Sequence, residues 1–168
     1  MTTNNDAFIK RDRLRFTKNK LSSNLTLLAI LINAFYFVSV YKCDVGTYYY
    51  KWFIGISVLY NLVFMLVAFL SSEGVKSYNI KYSFPLIAIG ILQVVRIFIL
   101  PLQAKNAVIT LDGVEQAVME DGKFFYQSIL LVASGVLCVI AGVVNIIKAQ
   151  TLASHQAQID KETKGSKS

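Results

Sequence analysis

The chain alternates between long apolar runs and short polar stretches. Leu25–Tyr41, Trp52–Leu70, Phe84–Leu100 and Phe125–Ile147 contain a single charged residue between them, Arg96. Each run approaches the roughly 20 apolar residues that an α-helix needs to cross the hydrocarbon core of a bilayer. The pattern predicts an all-α protein, an integral membrane four-helix bundle over residues 24–148. A basic arm (1–23) precedes it and a polar tail (149–168) follows. Ser71-Ser72-Glu73-Gly74 reads as a helix stop. Pro85 suits a first helical turn, and Pro101 and Lys148 close the third and fourth runs. Between those two runs, Val108–Leu111, Asp112-Gly113 and Val114–Met119 read as a β-hairpin with an Asp-Gly turn. A lone hairpin is marginal in water, so this one needs the helix ends or a partner to lean on. The tail is expected to be disordered beyond His155.

Charge adds a direction to this picture. The 168 residues are 55% hydrophobic and 16% charged, with a net charge of +7. Soluble domains carry about 25% charged residues. The N-terminal arm, the Glu73–Lys81 loop and the tail with Lys148 before it together hold twelve of the Lys and Arg residues. The other two loops hold Lys42, Lys51, Lys105 and Lys123. The positive-inside rule then predicts a multi-pass protein of the cell membrane with both termini in the cytoplasm and the hairpin outside. This distribution explains the basic balance without nucleic acid. The arm is expected either to lie on anionic lipid headgroups or to be a solvated tail. A cleaved signal peptide is not favoured, because no small-residue cleavage site follows the first run and Lys42 precedes Cys43.

Each run carries a small or polar face at helical spacing, which in lipid normally turns toward protein. The faces are Thr26, Ala29, Asn33 and Tyr36; Ser57, Asn61, Ala68 and Ser72; Gly90, Gln93 and Arg96; and Ser134, Gly135, Cys138, Ala141, Gly142 and Asn145. At about 1.5 Å per residue, Asn33, Asn61 and Gln93 share one depth near mid-bilayer, with Arg96 one turn away. An intramembrane polar cluster of Asn33, Asn61, Gln93 and Arg96 follows. Ser134, Gly135, Cys138, Gly142 and Asn145 form a helix-packing face that permits close backbone approach. Arg96 has three open readings. It snorkels to phosphate, it packs against Gln93 and helix-end carbonyls, or it lines a substrate path.

Chemistry-bearing motifs are missing from the sequence. There is one histidine, His155, in the tail, and no carboxylate inside an apolar run, so no general acid–base pair forms. No Gly-rich phosphate loop and no metal-ligand spacing is present, so no cofactor and no metal site is expected. Cys43 and Cys138 are expected at different depths, so a disulfide between them is not favoured.

The segments Phe8–Phe16 (FIKRDRLRF), Leu21–Leu25 (LSSNL) and Gln93–Gln103 (QVVRIFILPLQ) resemble a family of uncharacterised four-helix membrane proteins of Gram-positive bacteria. The resemblance runs over most of the chain up to the tail. It implies a place beside carbohydrate ABC-transporter components, near which members are encoded, and it implies no site residues.

Taken together, these features predict a non-enzymatic accessory or partner subunit of a larger membrane complex, such as a solute transporter. Its partners are the bilayer and a membrane protein or a second copy of itself. A small oligomeric transporter or channel with a polar path near Gln93 and Arg96 is the rival reading. An enzyme acting on lipid is a third, and it lacks a cluster of ionisable residues at one headgroup surface.

Overall fold

A computed structural model of the protein describes residues 18–41, 51–111, 114–117 and 119–165. Four helices are long and apolar enough to cross a membrane. Helix α1 spans Lys20–Tyr41, α2 Lys51–Lys76 and α3 Ser83–Ile99; a short α4, Pro101–Asn106, continues α3, and α5 spans Asp121–Gly165. A 3-10 turn, Ile80–Tyr82, joins α2 to α3. Two four-residue strands, β1 (Val108–Leu111) and β2 (Val114–Ala117), pair antiparallel between α4 and α5, with Val108 opposite Ala117 and Leu111 opposite Val114. The Asp112-Gly113 turn, the arm up to residue 17 and the 42–50 loop with Cys43 lie outside the described residues.

Around the bundle, α5 packs on α1 and α3, and α2 packs on the other flanks of α1 and α3. The interior follows the small and polar faces. Ala29, Phe64, Ala68, Val75, Leu86, Cys138 and Ala141 form a buried core. Large apolar side chains such as Leu31, Phe35, Leu59, Leu66, Ile91, Phe98, Val136 and Ile140 are exposed along every long helix. That inside-out distribution suits a lipid solvent, because helices satisfy their backbone groups internally and hydrocarbon accepts the apolar exterior.

The helices are longer than hydropathy alone indicates. α1 starts at Lys20 because Asn19 caps it; its Oδ1 accepts from the Ser22 N–H at 3.4 Å, which satisfies one orphan donor of the first turn. α2 passes through Ser71–Gly74 and ends two residues before Tyr78, which adopts φ +60°. There the Asn79 N–H donates to Gly74 O (3.2 Å) and the Tyr78 N–H to Val75 O (3.1 Å). This is the bond pair of a Schellman stop. The Tyr82 ring lies over Gly74 where a Cβ would go.

α3 ends just before Pro101, as expected, with Leu100 at its C-cap, but the chain stays helical across the proline into α4. Leu100 N–H still donates to Arg96 O (3.2 Å), and Ala104 N–H donates to Leu100 O (3.0 Å). Proline removes one donor and begins a new first turn, where the missing N–H costs nothing. One expected ending is corrected: the tail is not irregular beyond His155. α5 runs on to Gly165, since residues 149–164 are mostly good helix formers with no glycine or proline to stop them. At about 1.5 Å per residue, α5 extends about 25 Å past Lys148.

Candidate functional site

α3 places Gly90, Gln93 and Arg96 on one buried stripe. Asn33 and Tyr36 face it from α1, and Ser57, Tyr60 and Asn61 from α2. The Gln93 Nε2 donates to Asn33 Oδ1 at 2.7 Å, and Asn33 Nδ2 donates to Asn61 Oδ1 at 3.4 Å. Arg96 closes the chain. One terminal nitrogen donates to Asn61 Oδ1 at 2.7 Å and the other to Ser57 Oγ at 2.6 Å. Asn61 Oδ1 therefore receives both the guanidinium and an amide, and three helices are joined at one level. All four residues expected in the intramembrane cluster are brought together.

The charge of Arg96 is handled without a carboxylate. Its guanidinium carbon lies 4.8 Å from the Tyr36 ring centroid and 4.7 Å from that of Tyr60. Aromatic faces attract a cation, more strongly when it is desolvated. Arg96 is only 5% exposed, and no carboxylate lies within ion-pair distance of it among the described residues. Snorkelling is thus not the arrangement found: the head ends inside the bundle, on Asn61 and Ser57. Gln93 and helix-end carbonyls are not its partners either. Gln93 instead bonds Asn33, and its own Oε1 has no hydrogen-bond partner.

The α5 face meets α3 and α1 at contact distance. A Cβ built on Gly135 would lie 2.6 Å from Gly90 O, and one on Gly142 would lie 2.7 Å from Ile87 Cγ1. Ser134 Oγ donates to Ala29 O at 3.0 Å. Cys138 is buried beside Gly90, free of any disulfide.

Asn145 belongs to a second polar cluster, at the end of the bundle where α1 begins and α2 stops. Its Nδ2 donates to Ser83 Oγ (2.8 Å) and Asn79 O (3.2 Å), and its Oδ1 accepts from Asn19 Nδ2 (3.1 Å). Asn19 also donates to Ser22 Oγ (2.9 Å), accepts from Lys148 Nζ (3.4 Å) and bonds Lys76 O through its N–H (3.0 Å). Ser23 and Ser72 share a hydroxyl bond of 2.8 Å nearby. Every helix of the bundle is tied at this level. The sequence reading missed Asn19 as a member because it lies within the polar arm by composition; the signal was the asparagine itself, a favoured N-cap residue just ahead of the first apolar run.

No family model, curated protein or solved structure matches the chain.

Proposed function

We propose that this integral membrane protein is a non-enzymatic subunit that accompanies a larger membrane complex, with both termini in the cytoplasm. The observation that carries the reading is where the costly polar groups go. Arg96, Asn33 and Gln93 direct their side-chain donors at Asn61, Ser57 and Asn33, and so hold helices together. Small residues bring α3 and α5 into backbone contact, and the exterior is apolar around its circumference. Such a body offers its outer surface and its ends to a neighbour. The resemblance to proteins encoded beside carbohydrate ABC-transporter components points to a solute transporter as that neighbour. Mild-detergent extraction of the tagged protein from its native membrane, followed by identification of co-purifying chains, tests this. A strictly monomeric protein with no enriched membrane partner overturns it.

One observation favours a second reading, a transport path through the bundle. Arg96 is a buried cation lacking a carboxylate among the described residues, and Gln93 Oε1 is unpartnered beside it. Cysteine placed at 93 or 96 and challenged with a membrane-impermeant thiol reagent separates the readings. The subunit reading expects no modification, and the path reading expects labelling.

A further inference from the structure

The two ends of the bundle treat their lysines differently. At the end carrying α4 and the strands, Lys105 lies 3.1 Å from Asp121, and Lys123 lies 3.8 Å from Glu120. Both of these lysines have a carboxylate. At the opposite end, Lys76 alone is paired, with Glu73 at 2.9 Å. Lys18, Lys20, Lys81 and Lys148 have no carboxylate within ion-pair distance among the described residues.

These four lysines are neighbours in space although three elements supply them. Lys18 and Lys20 flank Asn19, whose Oδ1 is 3.4 Å from Lys148 Nζ. Asn19 bonds Asn145, and Asn145 bonds Asn79 O. Lys81 is two residues beyond Asn79 and donates its backbone N–H to Asn79 Oδ1 at 3.1 Å. The lysines thus stand around the polar network that ties the helix ends. Lys18, Lys20 and Lys81 are exposed, and Lys148 is half-buried with its amine on the network itself. The level also matches a headgroup layer, since the apolar flanks begin next to it at Leu21, Phe84 and Ile147.

We propose that this lysine collar binds the phosphates of anionic phospholipid, and that the bound lipid stabilises the bundle through Lys148 and the Asn19–Asn145 network. Unpaired lysines at a membrane surface are attracted to anionic headgroups, and a ligand that binds only the folded state raises its stability. The attraction is screened by salt.

The full chain, purified in a neutral detergent, is unfolded thermally with added phosphatidylglycerol, phosphatidylcholine or inorganic phosphate. The proposal expects a rise of several degrees in the midpoint with phosphatidylglycerol alone. The triple variant K18Q/K20Q/K81Q changes side chains outside the hydrogen-bond network. It is expected to keep the lipid-free midpoint and lose most of the rise. An equal rise with phosphatidylcholine, or an undiminished rise in the variant, overturns the proposal. A rise reproduced by inorganic phosphate overturns lipid as the ligand. Salt supplies a test without any variant: at about 1 M, where the screening length is about 3 Å, the rise must vanish in the unaltered protein, and persistence overturns the collar. None of these readouts depends on whether a protein partner co-purifies.

Discussion

Gly90 on α3 and Gly135 on α5 face each other backbone to backbone: a Cβ on Gly90 would lie 2.7 Å from Gly135 O, and a Cβ on Gly135 would lie 2.6 Å from Gly90 O. Side chains yield by rotation, but a helical carbonyl yields only if the helix moves. The approach explains why neither position holds even alanine, and why α3 and α5 form an extensive packed pair in a solvent that gives helices no hydrophobic drive to associate. Gly90→Ala and Gly135→Ala are each expected to destabilise the bundle by about 1–3 kcal/mol, the usual cost of overpacking. Gly55→Ala is the control, since a Cβ there meets nothing within 4 Å. Unfolding midpoints of the three variants in the same detergent check the ranking. A Gly135→Ala protein as stable as the control would contradict the close approach.

Arg96 makes a different prediction, because its removal leaves polar groups behind. Arg96→Met keeps an unbranched stem but not the guanidinium, and loses two charge-assisted hydrogen bonds and the ring contacts, stranding Ser57 Oγ. A cost of about 3 kcal/mol is expected. Arg96→Lys retains charge, but a single ammonium cannot reproduce the planar fork reaching Asn61 and Ser57 together. It is expected to lose about 1–2 kcal/mol. The double variant Arg96→Met with Ser57→Ala should cost less than the sum of its singles, as for any coupled pair. A double-mutant cycle on thermal or denaturant unfolding gives the coupling, and strict additivity would show that the 2.6 Å contact contributes nothing.

The sequence makes the interior faces legible and leaves the pairings obscure. Thr26, Ala29, Asn33 and Tyr36 recur at three- and four-residue steps, so their common burial follows from helical geometry alone. Gly90, Gln93 and Arg96 repeat the argument on α3. What spacing cannot supply is the vertical register between helices, and that register decides whether Arg96 meets Gln93, Asn61 or a lipid phosphate. Tyr60 illustrates the point. Nothing in its apolar surroundings distinguishes it from an interfacial tyrosine, yet its ring covers Arg96. Hydropathy also hides the start of α1. Asn19, Ser22 and Ser23 look like the end of a polar arm, but each is buried, because its hydrogen-bonding groups find partners in α2, α5 or the first turn of α1. The far reach of α5 is obscure for the converse reason: a polar composition suggests irregular structure, although residues 149–164 hold no glycine or proline.

Asn145 carries the third prediction. Its side chain makes three hydrogen bonds that join α5 to the start of α1, to the 3-10 connection and to α3. Asn145→Leu has nearly the same size and none of these bonds, so it leaves Asn19 and Ser83 each short of a partner at a buried site, whereas the exposed Asn79 carbonyl keeps the Tyr82 N–H. Unsatisfied buried groups cost about 1–3 kcal/mol each. The variant is expected to be the least stable single substitution at this end, well below Ser23→Ala, which forfeits one hydroxyl bond to Ser72. Hydrogen exchange locates the effect. Amide protection should fall first in the opening turns of α1 and α3, where Asn19 and Ser83 sit. Loss spread evenly over the bundle would count against a local clamp.

Tyr78 offers a substitution expected to stabilise. It occupies the position after α2 at which the chain turns left-handed, with φ +60°, and it is the only described non-glycine residue with positive φ. A side chain in that conformation costs roughly 1–2 kcal/mol through its Cβ, whereas glycine adopts it freely. The tyrosine is half-buried, so Tyr78→Gly also gives up some apolar contact, and glycine adds entropy to the unfolded chain. These losses offset part of the gain. The net expectation is a rise of about 0.5–1 kcal/mol, with Tyr78→Ala lower than Tyr78→Gly because alanine keeps the strain and loses the ring. Unfolding midpoints of the two variants settle the order. If alanine proved the more stable, the Schellman stop formed by Asn79 and Tyr78 on Gly74 and Val75 would have to relax to a right-handed ending, and α2 would end in a different place.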